Sequence, residues 1–151
     1  MTTNSKYRLT AVLVHAAWAD ASSWNKVIRQ LQGLGLAVRA AQIPLTSLRD
    51  DVAALNRLLR QVEGPVLLAG HSYAGAVITA AAAGNANVKA LVYIAAIVPD
   101  EGEAVGELFT RAEPQPSTRP KITPDEDGFF WLPPNSFSSA VAHDAPPEET
   151  A

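Results

Sequence analysis

Four short runs of aliphatic residues recur along the first hundred residues, and segments with helical spacing separate them. An aliphatic run of this length is typical of a strand that is buried on both faces. Strands that alternate with helices predict an α/β fold with a parallel sheet and helices on both faces. The predicted strands are Thr10–Val14, Ala37–Ile43, Val66–Ala69 and Val88–Ala96.

The segments between these strands carry start signals for helices. Ser22 or Ser23 is the predicted N-cap of the first helix. Ser47 is the predicted N-cap of the second helix, and Asp50 is placed for a capping-box-like contact with it. The third helix is predicted over the alanine-rich segment Tyr73–Ala83, which suits close packing against a sheet.

The character of the chain changes at Pro99, because most of the 11 prolines follow and no comparable aliphatic strand does. The sequence therefore predicts two parts. Residues 1–98 form the core, and residues 99–151 form an insertion that covers another part of the protein and does not continue the sheet. The elements predicted in the second part are helices at Glu103–Phe109 and Ser136–Ala142 and a hairpin that pairs Lys121–Thr123 with Phe129–Leu132.

The hexapeptide Gly70-His71-Ser72-Tyr73-Ala74-Gly75 lies between the third predicted strand and the third predicted helix. In this context a G-x-S-x-G-like motif favours a nucleophile elbow, a sharp strained turn that holds the serine exposed. The serine hydroxyl would lie near the helix N-terminus, where backbone N–H groups stabilise negative charge. The structural alternative is a Gly/Ser turn without chemistry.

A second motif, His15-Ala16-Ala17-Trp18, directly follows the first predicted strand, where oxyanion-hole loops lie in this architecture. With it, the segments VLVHAAWADASSW, GHSYAGAV and LVYIAAIVPDEGE resemble the α/β-hydrolase superfamily. The resemblance is greatest to its small cofactor-free esterases, the group that includes hydroxynitrile lyases and plant methyl esterases. It covers nearly the whole chain, and the part from Pro99 onward matches the start of the family's cap.

The resemblance implies a role for several residues of this chain. Ser72 would be the nucleophile, and the backbone N–H groups of Ala17 and Tyr73 would form the oxyanion hole. Trp18 and Trp131 would line the substrate pocket, although each is equally suited to packing, Trp18 against the first helix and Trp131 within the cap. The strand ending at Val14 would lie beside the strand that precedes Ser72.

Two positions depart from the family pattern, since Ala16 and Ala74 replace its usual glycines. Both sites favour glycine because the backbone approaches closely or φ is positive. We expect the added methyl group to be tolerated at Ala74, whereas at Ala16 it bears on the geometry of the loop.

The base that would activate Ser72 is not evident in the sequence. The family order is Ser, then Asp or Glu, then His, and the histidine downstream of Ser72 is His143, in the cap-like segment. We interpret His15 and His71 as structural, because each belongs to a motif turn, and Asp100 as a surface turn residue. We therefore expect the acid and the histidine beyond residue 151, and we interpret the chain as a fragment or truncated gene product that is inactive as it stands.

Composition narrows the partners. A net charge of −3 and a pI near 5.5 argue against nucleic acid as a partner, and the absence of cysteine fits a reducing, cytoplasmic location.

Residues 64–88 lack charged side chains, but Pro65, Gly70 and Gly75 interrupt this segment. A buried strand and helix therefore explain the segment better than a membrane span. Three scattered histidines give no metal-ligand spacing, and we predict no metal and no cofactor.

The leading hypothesis is a serine hydrolase that acts on small-molecule carboxylic esters. A hydroxynitrile lyase is the alternative within the fold, and a truncated, non-catalytic binding protein or remnant is the alternative outside catalysis. A Rossmann-type nucleotide domain is disfavoured because no G-x-G-x-x-G follows the first strand. The sequence leaves the substrate and the oligomeric state open.

Overall fold

A computed structural model describes residues 8–111, 122–133 and 136–146 of the chain. The chain divides into two compact units, Met1–Leu108 and Phe109–Ala151. The sequence-based division into a core over residues 1–98 and a cap-like segment over residues 99–151 stays a prediction.

The first unit is built on a parallel sheet in the order β2-β1-β3-β4. The first predicted strand is confirmed in full, and the other three are confirmed with different ends. The strands are β1 Thr10–Val14, β2 Ala37–Ala41, β3 Val66–His71 and β4 Val88–Ile94.

Tertiary hydrogen bonds explain two of these differences. The strand predicted to reach Ile43 stops at Ala41, because the Ile43 N–H donates to the His15 ring at 3.1 Å instead of joining the sheet. The strand predicted to stop at Ala69 runs on to His71, which pairs with Ile94.

Three helices of the first unit lie between the strands, at the predicted places. Ser47 caps the second helix as predicted, because its hydroxyl accepts the Asp50 N–H at 3.1 Å and donates to the Asp50 carboxylate at 2.8 Å. The N-cap predicted at Ser22 or Ser23 is wrong. Asp20 accepts the Ser22 N–H at 2.8 Å and opens a 3₁₀ turn before the first helix. The helices are α1 Asn25–Gly33, α2 Leu48–Leu59 and α3 Ala74–Ala82, followed by α4 Val105–Arg111.

The core of the first unit consists of two hydrophobic clusters, and alternate side chains of β1 enter different clusters. Val12 and Val14 pack with the buried residues of α2 and α3, whereas Ala11 and Leu13 pack with Trp24 and α1. Since successive side chains of a strand point to opposite faces, helices cover both faces of the sheet. The predicted fold class is therefore confirmed.

β4 lies at one end of the sheet order and pairs with β3 in the described part of the chain. Its apolar side chains Val92 and Ile94 are about two-fifths exposed. An apolar strand at the edge of a sheet is a surface on which a further strand can pair. Among the described residues, no helix is both long enough and apolar enough to cross a membrane.

The second unit contains a tight turn centred on Asp125. Its carboxylate accepts the backbone N–H groups of Asp127 and Phe129 at 3.0 and 2.8 Å, and the Trp131 indole N–H at 2.6 Å. An antiparallel bridge joins Pro124 to Phe130, so the predicted turn is confirmed but the pairing is one bridge, not two strands.

The predicted helix at Ser136–Ala142 is shorter, α5 Phe137–Ala140. Lys121, where we predicted a strand to begin, lies outside the described residues.

Leu55 tests the larger core cluster, because its side chain on α2 is fully buried, at 0% exposure. We expect Leu55→Ala to lower the free energy of unfolding by about 2–5 kcal/mol, since a cavity replaces the side chain. Leu34→Ala is the matched control, because Leu34 is 79% exposed. Urea unfolding followed by circular dichroism measures both; an equal loss in the two variants would contradict this packing.

Candidate active site

The loops that carry the two sequence motifs leave adjacent strands at the same edge of the sheet. β1 pairs with β3, and Val14 lies opposite Gly70. The predicted neighbourhood of these two strands is therefore confirmed. In open parallel sheets, ligands bind at the carboxyl ends of the strands, and this edge is where His15 and Ser72 begin their loops.

Ser72 lies on a sharp turn between β3 and α3, with a left-handed φ of 55°. Its N–H donates to the Ile94 carbonyl at 3.1 Å, and its carbonyl accepts the N–H groups of Gly75 and Ile97, both at 3.0 Å. Left-handed backbone costs a residue with a side chain about 1–2 kcal/mol. Hydrogen bonds to the end of β4 and to the loop after it therefore hold the strained turn of Ser72 in place.

Two glycines allow this turn to pack. A Cβ atom at Gly70 would lie 2.8 Å from the Ala74 carbonyl oxygen, and one at Gly75 would collide with the Ile97 carbonyl oxygen. Ala74, at the family's usual glycine position, is the first residue of α3 and is buried in the core. The expected tolerance of alanine at this position agrees with this packing, and the close approach falls on Gly75 instead.

His15 begins the loop after β1 and is fully buried. Its Nε2 accepts the Ile43 N–H at 3.1 Å, so in the neutral ring Nδ1 carries the proton and donates to the Ala16 carbonyl at 2.9 Å. Both ring nitrogens are therefore used within the fold. This supports the structural role predicted for His15.

Ala16, where the family usually has glycine, is buried beside His15. The left-handed residue of this loop is Trp18, with a φ of 58°. The side chain of Trp18 is 39% exposed. The methyl group of Ala16 is thus packed inside the loop. The left-handed backbone conformation occurs two residues later, at Trp18.

Ala17 and Tyr73, the two residues predicted to form an oxyanion hole, are both partly buried. Ala17 belongs to the loop after β1, and Tyr73 directly follows Ser72 at the start of α3. Within the described residues, neither backbone N–H donates a hydrogen bond to another group. Both donors are thus uncommitted on neighbouring loops.

Residues with side chains in left-handed backbone gather at one edge of the sheet. The four among the described residues are Trp18, Leu45, Ser72 and Ala95, and each follows a different strand. Strained backbone of this kind persists only where the surrounding structure holds it, and it concentrates at functional sites. The carboxyl edge of the sheet is therefore the candidate site on conformational grounds as well.

The side chains beside Ser72 have shifted ionisation. Burial lowers the pKa of His71, so its imidazole is neutral near pH 7. Burial and the hydrogen bond to the Asp51 carboxylate raise the pKa of Tyr73, so its phenol keeps its proton. The two side chains that flank Ser72 in the sequence are therefore uncharged near pH 7.

Asp51 is a residue that the sequence analysis missed. It is fully buried in α2, and its carboxylate accepts the Tyr73 hydroxyl and the Leu45 N–H, each at 2.7 Å. The sequence contains a signal for this buried contact, because Asp51 lies four and eight residues before Leu55 and Leu59 and therefore on the same face of the helix. An acid in the apolar stripe of a helix indicates a buried polar contact.

Asp100 and His143 are the other acid and histidine considered. Asp100 is exposed in the turn before α4, where its N–H donates to the Glu103 carboxylate at 3.0 Å and its carbonyl accepts the Glu103 N–H at 3.1 Å. This agrees with the interpretation of Asp100 as a turn residue. His143 and Trp131 belong to the second unit, where Trp131 is 67% exposed and hydrogen-bonded to Asp125.

Comparison with known families settles the classification. Residues 11–151 match the profile of the family described as "Alpha/beta hydrolase family". The chain belongs to the alpha/beta hydrolase family. The search of curated proteins finds no match.

Solved structures agree with this family. The chain is similar to a pyrethroid hydrolase from Sphingobium faniae JZ-2, with 20% identity, a TM-score of 0.80 and coverage of 95% of this chain and 64% of the other. It is also similar to pyrethroid hydrolase PytH with BIF, with 21% identity, a TM-score of 0.78 and coverage of 92% and 63%.

A third similar structure is an extracellular alpha/beta-hydrolase from a Paenibacillus species, which shares structural and functional homology with tobacco Salicylic Acid Binding Protein 2. The identity is 19%, the TM-score is 0.66, and coverage is 94% of this chain and 62% of the other. At these identities the comparison establishes the fold. The chain spans less than two thirds of the length of each of the three structures.

Gly75→Ala tests the packing of the elbow. We expect it to lower the free energy of unfolding by about 1–3 kcal/mol or more, since the new methyl group meets the Ile97 carbonyl and the Ala96 Cβ. Gly33→Ala is the matched control, because nothing lies within 4 Å of a Cβ at that position. Urea unfolding checks the pair; a Gly75→Ala variant as stable as the control would contradict the close contact.

Ser72→Gly and Ser72→Ala together test the strain at the elbow. Both remove the hydroxyl, but only glycine adopts a φ of 55° without strain. We expect the glycine variant to be more stable than the alanine variant by about 1 kcal/mol. Thermal or urea unfolding measures the difference, and greater stability of the alanine variant would contradict a left-handed Ser72.

Proposed function

We propose that this protein is a serine hydrolase that acts on carboxylic esters, with Ser72 as the nucleophile. One observation carries the proposal: a serine with a left-handed φ of 55° at the turn from β3 to α3, on the edge of the sheet where ligands bind. A turn without chemistry would be more stable with glycine at this position. The retained serine therefore supports a use for its hydroxyl.

In the proposed reaction the Ser72 oxygen attacks the ester carbonyl carbon. The N–H groups of Ala17 and Tyr73 hold the developing oxyanion, and donors of this kind contribute roughly 3–4 kcal/mol to transition-state stabilisation. The alcohol leaves with a proton, and water then releases the acyl group from Ser72. Trp18, exposed on the loop of the first oxyanion donor, is proposed to contact the acyl group.

A base must accept the Ser72 proton for this reaction to proceed at a useful rate. Hydrogen bonds within the fold occupy both ring nitrogens of His15, which argues against that residue. We propose that the acid and the histidine come from the portion of the family fold that this chain does not span. Trp131 stays a predicted pocket residue.

The similar structures support hydrolysis as the class of reaction. Two are pyrethroid hydrolases, and the third is an extracellular alpha/beta-hydrolase. The ester substrate rests on the sequence resemblance to small cofactor-free esterases. A lyase that cleaves cyanohydrins would use the same serine, so the test includes both substrates.

The test combines labelling with turnover, on the protein as produced by its native host and on the same protein carrying Ser72→Ala. We expect a fluorophosphonate to add once, at Ser72, as measured by intact mass and peptide mapping. We expect hydrolysis of an aryl ester to fall by roughly 10⁴-fold or more in the variant.

Ser23→Ala is the control, because Ser23 lies in the 3₁₀ turn before α1 and outside the proposed chemistry. It should label and turn over like the parent protein. Labelling elsewhere, or ester hydrolysis that survives Ser72→Ala, would refute Ser72 as the nucleophile. Cleavage of a cyanohydrin but not of the ester would replace the hydrolase with a lyase.

A further inference from the structure

Asp51 is an acidic side chain with no exposed surface, placed near the start of α2. Removing a carboxylate from water is unfavourable unless donors replace the lost hydration. Here the Leu45 N–H reaches one carboxylate oxygen and the Tyr73 hydroxyl reaches the other, both at 2.7 Å. The N-terminal end of a helix also favours negative charge. The carboxylate is thus held by two strong, directed hydrogen bonds.

The bond from the Tyr73 hydroxyl reaches the nucleophile elbow. Tyr73 follows Ser72 directly, and its backbone N–H is one of the two proposed oxyanion donors. Its phenol is anchored on Asp51, and the raised pKa of Tyr73 keeps that phenol a donor over the neutral and alkaline range. The backbone and the side chain of Tyr73 therefore link the elbow to α2.

The bond from the Leu45 N–H reaches the other oxyanion loop by way of residues 43–45. Leu45, held in left-handed backbone with a φ of 58°, donates its N–H to Asp51. Two residues earlier, the Ile43 N–H donates to Nε2 of His15. Since His15 begins the loop that carries Ala17, buried hydrogen bonds connect the two loops through residues 43–45.

We propose that Asp51 is a positioning residue, which fixes the two oxyanion donors relative to each other through Tyr73 on one side and through residues 43–45 and His15 on the other. The proposal rests on the function proposed above. A leucine would continue the apolar stripe of α2 without the cost of a buried carboxylate, so the acid is not needed for packing. Misplacement of a catalytic group by about 1 Å can lower a rate roughly 100-fold, so an anchor of this kind has a measurable effect.

Asp51→Asn and Tyr73→Phe break the contact from its two ends. The asparagine retains the shape of the side chain but replaces one acceptor oxygen with a donor, so the Leu45 N–H and the Tyr73 hydroxyl can no longer both donate to residue 51. The bonds that remain also lose the strength that the carboxylate charge gives them. Phenylalanine removes only the hydroxyl and serves as the milder variant. Tyr93→Phe is the matched control, because it removes a phenol that is bonded to Thr79 at 2.8 Å.

We expect kcat for an aryl ester to fall about 10–100-fold in Asp51→Asn and in Tyr73→Phe, with KM changed less than about twofold. In the double variant kcat should fall no further than in the less active of the two single variants, because both substitutions act on the same contact. Tyr93→Phe should retain kcat within about twofold. Losses that multiply in the double variant, or a lower melting temperature with unchanged kcat, would overturn the positioning role.

A second measurement does not depend on catalysis. In ¹⁵N-labelled protein, the amide resonances of Ala17 and Ser72 should shift in Asp51→Asn and stay in place in Tyr93→Phe. An unmoved Ala17 resonance would overturn the connection through residues 43–45. If the parent protein shows no serine-dependent hydrolysis, the proposed function fails, and the amide shifts still decide whether Asp51 positions the two loops.

Discussion

The pairing of β1 with β3, with Val14 opposite Gly70, is the contact on which the rest of the site depends. It brings the ends of two strands together that lie more than 50 residues apart in the chain. The loop of His15 and the turn of Ser72 then begin side by side, and the helices after them pack on opposite faces of the sheet. The topology of the sheet therefore determines which loops share the candidate site. The residues of those loops determine the chemical groups that the site contains.

Strain and burial act together at this edge of the sheet. Each strand is followed by a residue with a side chain in left-handed backbone, which the chain tolerates because buried hydrogen bonds hold the loops. The side chains of His15 and Asp51 are both fully buried there, and both accept backbone N–H groups of residues 43–45. A short segment without regular structure thus connects α2 to the loop after β1 by hydrogen bonds at the candidate site.

Local signals were sufficient to predict the parts of the fold that depend on nearby residues. The first strand and the Ser47 cap follow from short-range patterns, and the structure contains both. The end of β2 was mispredicted because a histidine 28 residues earlier takes the Ile43 N–H, and no pattern within the strand records such a partner. The serines are not the cap, because the Asp20 carboxylate accepts the Ser22 N–H and caps the 3₁₀ turn that precedes the first helix. Asp51 escaped notice because its partners come from two distant segments.

The backbone of Ser72 is hydrogen-bonded to the last residue of β4 and to the segment that follows, because its N–H donates to Ile94 and its carbonyl accepts from Ile97. A methyl group at Gly75 would push against that same segment. The turn of Ser72 and the end of β4 are thus joined by hydrogen bonds and by close packing. In the proposed hydrolase the attacking oxygen would therefore keep a fixed position, and adaptation to substrates of different shape would fall to the loop of Trp18, whose side chain is 39% exposed.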